Sequence, residues 1–178
     1  KKEQTHIVVG YRGLPLGDKD RYTLEVIQSI LSGQGGRLFI ELRDKNSLAY
    51  SVSPIRMEGI EAGYFGGYIG CSPEKVDKSI QMLKAEFEKL CSTAVPQEEL
   101  QRAQKYLSGS NDIELQRKST ICNGILFDVI YGMDPDETFK ATEKYFQVTA
   151  QDIIRVSQRI FHSESIISVV GAKPPSSL

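Results

Sequence analysis

The chain has 178 residues, 40% of them hydrophobic and 25% charged, which fits one folded domain and argues against disorder. Its 22 basic and 23 acidic residues interleave to a net charge of −1, so there is no field to hold a polyanion, and nucleic acid is not an expected partner. No apolar run approaches the ~20 residues of a membrane span, so a membrane is not expected either.

Lys1 opens the chain without the pattern of a signal peptide, and the sequence reads as a single domain over 1–178 cut from a longer polypeptide. Its compartment, cytoplasmic or periplasmic, is left open. Cys71, Cys91 and Cys122 are odd in number and widely spaced, which reads as packing rather than a disulfide framework.

"THIVVGYRG" (5–13) is β-branched and bounded by glycine, as a buried strand would be. Asp18 can cap a helix whose broad apolar face includes Tyr22, Leu24, Val26, Ile27, Ile30 and Leu31, with Gly33 placed for a left-handed C-terminal cap. A second short helix is predicted from about Gly36 to Lys45, with Leu38, Phe39 and Leu42 inward. "LAYSVSPIRME" and "AGYFGGYIGCS" then form an antiparallel hairpin.

Ser72-Pro73-Glu74 starts a helix whose stripe Val76, Ile80, Leu83, Phe87, Leu90 lies on the core. Pro96 opens another, with Leu100, Ala103 and Leu107 inward and a break near Ser108 to Asn111 before helix resumes through "ICNGILFDVIYG". Asp134-Pro135-Asp136-Glu137 and Thr149 to Asp152 read as capping boxes, the second stapled by Val148 and Ile153. "SIISVVGA" closes as a central or doubly buried strand, and "KPPSSL" is a loose tail. The order predicts an α+β, two-layer sandwich: a mainly antiparallel sheet with helices packed on one face.

Chemistry is sparse. His6 and His162 lack a second histidine or carboxylate at helical ligand spacing, so a zinc site inside this chain is not expected. The Glu98-Glu99 and Asp136-Glu137 pairs sit in helix first turns, where negative charge suits the dipole. "SGQGG" lies between two helices, so it reads as a tight turn rather than a phosphate loop. Arg43 and Tyr50 remain, a guanidinium at a helix end and a phenol just past the following turn. That context could bring two hydrogen-bond donors to one rim.

"LSGQGGRLFIELRDKNSLAYSVSP" resembles the glycine turn, "R-L-F-x-E-L-R" and "L-A-Y-S-V" run of C-terminal domains in the pitrilysin-type (M16, insulinase) zinc metallopeptidases. This group includes insulin-degrading enzyme and mitochondrial processing peptidase. "HIVVGYRG", "DRYTLEVIQSILSG", "GYFGGYIGCSPEKVDKSI", "EELQRAQKYLSGS" and "SVVG" fall in family order around it.

The resemblance implies a split active site. An HxxEH-bearing zinc domain, in the same polypeptide or on another subunit, would hold the metal, and this chain would supply Arg43 and Tyr50, seven residues apart, to a peptide substrate. It implies no cofactor in this chain and no hydrolysis by the chain alone. Ser47 stands where many members have glycine, which bears on the turn that aims Tyr50. Two other readings predict no such chemistry: a structural subunit of the same fold, and a module that binds peptides along an exposed strand edge.

Overall fold

A computed structural model describes residues 4–171; the "KPPSSL" tail lies outside them. Four strands, β1 (Thr5–Arg12), β2 (Ala49–Met57), β3 (Tyr64–Cys71) and β4 (Ser165–Val170), form one antiparallel sheet in the order β2-β3-β1-β4. The helices are α1 (Arg21–Leu31), α2 (Val76–Ser92), α3 (Gln97–Glu114), α4 (Lys118–Ile130), α5 (Glu137–Gln147) and α6 (Ala150–Phe161). A π-helical turn, Phe39–Lys45, precedes β2, and a 3-10 turn, Pro73–Lys75, leads into α2.

Strand periodicity decides which face is covered. On β1, Ile7, Val9 and Tyr11 point inward, and their partners Ile69 and Phe65 on β3 are also fully buried. The α2 stripe Val76, Ile80, Leu83, Phe87, Leu90 is buried as its spacing predicts. Phe87 stacks on Phe161 of α6 at 4.5 Å between ring centroids, and Phe65 and Tyr11 meet this pair edge-on. Helices α1, α2 and α6 pack on the sheet, α3 and α5 pack against α1, and α4 rests on α5. The opposite sheet face carries His6, Ser51, Ser53, Tyr64 and Ser168, all exposed.

Gly33 takes φ +76°, the left-handed cap position read from its place after the apolar stripe. Thr149 and Asp152 form a reciprocal capping box, with Val148 and Ile153 both buried beside it.

Four expectations are corrected. Helix α1 begins at Arg21, and Asp18 instead accepts from the Asp20 backbone N–H at 2.9 Å, closing a turn outside the helix. Asp134 does the same for Asp136 at 3.0 Å, and α5 has no side-chain cap. Helix α3 runs through Ser108 to Asn111, because the single half-buried Gly109 costs only about 1 kcal/mol, and the break falls at Leu115–Arg117. β4 is an edge strand rather than a central one, with Ile166 79% exposed.

Candidate functional site

The site is a rim where the π-helical turn hands over to edge strand β2. Leu38 and Leu42 anchor the turn in the core. Its start is tied down by Arg37, which donates from Nε and Nη2 to both carboxylate oxygens of Glu99 on α3, at 2.9 and 2.7 Å. Both side chains are only 17% exposed, so Glu99 serves the architecture.

The end of the turn is closed by a left-handed cap. Ser47 takes φ +49°, and its N–H donates to the Arg43 carbonyl at 2.9 Å, while the Leu48 N–H reaches the Leu42 carbonyl at 2.7 Å. This is the position where glycine is favoured. Lys75 braces the turn from outside, donating from Nζ to the Ser47 carbonyl at 2.8 Å, and Asn46 Nδ2 donates to the Glu41 carbonyl at 2.8 Å.

Arg43 projects from this frame into solvent, its guanidinium 4.8 Å above the Phe39 ring. Beyond that contact its donors have no hydrogen-bond or ion-pair partner among the described residues. Phe39, expected inward, is half-buried because it carries Arg43.

Tyr50 sits on a β-bulge. The register pairs Ala49 with Cys71 and then Ser51 with Gly70, leaving Tyr50 as the extra residue on β2. A bulge redirects a side chain at the edge of a sheet. Ala49 is buried, while Tyr50, 56% exposed, and Ser51 after it both face out, and the Tyr50 hydroxyl has no hydrogen bond among the described residues. Strict alternation cannot foresee the extra residue. The structure thus leaves both candidates exposed, one on each side of the braced turn.

Two further features were not legible in sequence. His6 Nδ1 lies 2.8 Å from the Tyr68 hydroxyl across the open sheet face. Glu88, Cys91 and His162 gather ligand-type atoms within 4.8 Å of one another, brought together by α2 and the end of α6 rather than by helical spacing. Cys91 is buried, and loss of solvent with Glu88 nearby pushes its thiol up to about 11, away from the thiolate a metal needs. Cys91 also lies 16 residues along α2 from Lys75, the brace at Ser47, which is about 24 Å of helix. This group belongs to the packing of α2 on α6.

A fold search agrees with the architecture. The crystal structure of a peptidase M16 inactive domain from Pseudomonas fluorescens superposes with TM-score 0.85 at 19% identity, covering 97% of this chain and 42% of that one. An uncharacterised zinc protease of Streptomyces coelicolor is 28% identical over 172 residues, 96% of this chain and 38% of that protein. The alpha subunit of mitochondrial-processing peptidase from Caenorhabditis elegans is 26% identical over 94% of this chain and 34% of its own length. The chain therefore spans well under half the length of these relatives. The family profile described as the peptidase M16 inactive domain matches residues 1–107, and with that match the chain belongs to the M16 family of zinc-protease domains, on its inactive-domain branch.

Proposed function

We propose that the chain is the substrate-binding, catalysis-assisting domain of a zinc-dependent endopeptidase acting on oligopeptides or small extended proteins. Residues 1–178 would form one C-terminal-type domain of a longer polypeptide, unable to hydrolyse peptides alone. An HxxEH-bearing domain, in cis or on another subunit, would complete the site.

One observation supports this reading most: a bulge presents the Tyr50 hydroxyl, unpartnered among the described residues, beside a braced turn whose end carries Arg43. The zinc of the partner domain would supply an activated water and polarise the scissile carbonyl. Tyr50 donates its O–H to the carbonyl oxygen as negative charge builds there, an interaction stronger in the transition state than in the ground state. One such donor is worth about 3 to 4 kcal/mol in other enzymes. Arg43 holds a neighbouring substrate carbonyl or carboxylate in its planar fork and keeps the peptide in register. The Phe39 ring beneath the guanidinium limits its wandering.

The test is peptidase activity of the assembled protein, as parent and as Tyr50→Phe, beside this chain alone. The chain alone is silent, and the lost hydroxyl lowers kcat by ~10²-fold with little change in KM. An unchanged rate assigns the chain to the wall of the chamber or to a structural role. Strand addition at β2 is disfavoured by Pro54, which removes one N–H from that edge strand.

A further inference from the structure

Helix α4 is apolar on both sides: Ile121 and Ile125 are half-buried on the same stripe as Gly124 and Asp128, yet its largest apolar groups lie outside. Toward α5 it presents a glycine and an acid: Asp128 Oδ2 accepts from the Thr138 N–H at 2.9 Å and from Thr138 Oγ1 at 2.6 Å. A Cβ at Gly124 would fall 2.5 Å from Thr138 Oγ1. Away from α5, Leu126, Phe127, Val129 and Ile130 are 50 to 61% exposed, with Tyr131 stacked on Phe127 at 5.9 Å and exposed Cys122 one turn before Leu126. Globular domains bury the apolar side of a helix and keep polar groups outside. A contiguous exposed apolar patch of this kind marks an interaction surface.

The geometry points to the outward face of α4 as the surface on which the metal-bearing domain docks, an inference that rests on the function proposed above. Chain length indicates the occupant. This chain covers 38% of the Streptomyces zinc protease, so most of such a protein is further chain outside this domain, held beside it at high local concentration and available to dock on it. The two open faces divide the work by their chemistry. The outer sheet face mixes hydroxyls at Ser51, Ser53 and Ser168 with apolar groups scattered over three strands, Met57, Tyr64 and Ile166, and suits a wetted, exchangeable contact. α4 offers large apolar side chains, the composition of a permanent interface core. Its polar anchoring to Thr138 lets the helix stay seated while its apolar face awaits a partner.

Cys122 reports on this face directly. Maleimide labelling, mapped to residues by mass spectrometry, is compared between this chain and the protein assembled with its metal-bearing domain. Cys71 and Cys91 are buried and stay silent. Cys122 should label at least ~10-fold more slowly in the assembly. The double variant Leu126→Asp, Ile130→Asp should melt as the parent does when the chain is alone, since both sites are exposed. In the assembly it should lose Cys122 protection and peptidase activity together.

Equal labelling in both forms overturns the inference. So does normal assembly of the double variant, or concentration-dependent protection in the chain alone, which would make a second copy the occupant. Tyr50→Phe separates the two readings: a protected but fully active assembly refutes the catalytic role and leaves the docking face standing.

Discussion

Arg37 and Glu99 set where the turn bearing Arg43 begins, and removing them one at a time tests that claim. Arg37→Ala leaves the Glu99 carboxylate without its two donors, and Glu99→Ala leaves a guanidinium without its acceptor, in a site where each side chain is 17% exposed. Breaking a fully buried pair costs ~3–5 kcal/mol, while exposed pairs give ~0.2–1. With about a sixth of each side chain in water, about 2–3 kcal/mol per single variant follows from those limits. The double variant removes both charges and should cost less than the sum, with a coupling of about 1.5–2 kcal/mol. Urea unfolding reads this as a midpoint lowered by about 1 M for each single variant, at a slope near ~2 kcal/mol/M. Additive single effects, or a midpoint shift under ~0.2 M, would refute the view that this pair holds the turn.

Ser47→Gly should hold or raise stability, because relief of ~1–2 kcal/mol of left-handed strain is set against ~0.5–1 from the looser unfolded chain; Ser47→Val should lower the melting temperature. Gln104, buried between α3 and α5, donates Nε2 to the carbonyls of Tyr145 and Val148, both at 2.9 Å, so Gln104→Ala should destabilise by ~2–3 kcal/mol in the same titration. Arg155, and behind it Arg159, holds the buried Asp20 carboxyl below its ordinary 3.8. A depressed carboxyl contributes stability above its unfolded value and loses it as pH falls through the folded one, so Asp20→Asn should be less stable at pH ~7 and show a flatter acid limb. Thiol titration of the native chain near neutral pH should find Cys122 alone reactive, and fast modification of Cys91 would contradict its burial.

Helices that lie on the sheet were readable because a buried stripe repeats with the helix, as from Val76 to Leu90. The hairpin was readable for the parallel reason that strands alternate. The same logic failed at β4. "SIISVV" is apolar enough for a central strand, yet its outward residues, Ile166 among them, are exposed. On a single sequence, an edge strand and a central one differ only in what lies beside them. At the site, the residue types and their separation were legible, and so was the unusual Ser47. The bulge at Tyr50 was not, because one extra residue in a strand leaves no mark on composition. Nor was the π-helical register of Phe39–Lys45, since seven residues are too few to separate two helical periods.

Sheet order also sets a schedule for folding. β1 pairs with β3 on one side, but its other side waits for β4, and Tyr11 and Ser165 lie opposite each other across 154 residues of chain. At ~5–20 residues per second, a ribosome leaves that edge of β1 open for about 8 to 30 s. Through that interval Val8 and Val9 form a ready template for strands of other nascent chains, and closing the sheet requires a contact of nearly maximal sequence separation. A chain stopped before Ser165 would keep the α2 stripe and the hairpin yet expose a permanent sticky edge. In this strand order the last edge to close is also the one with the longest loop to close.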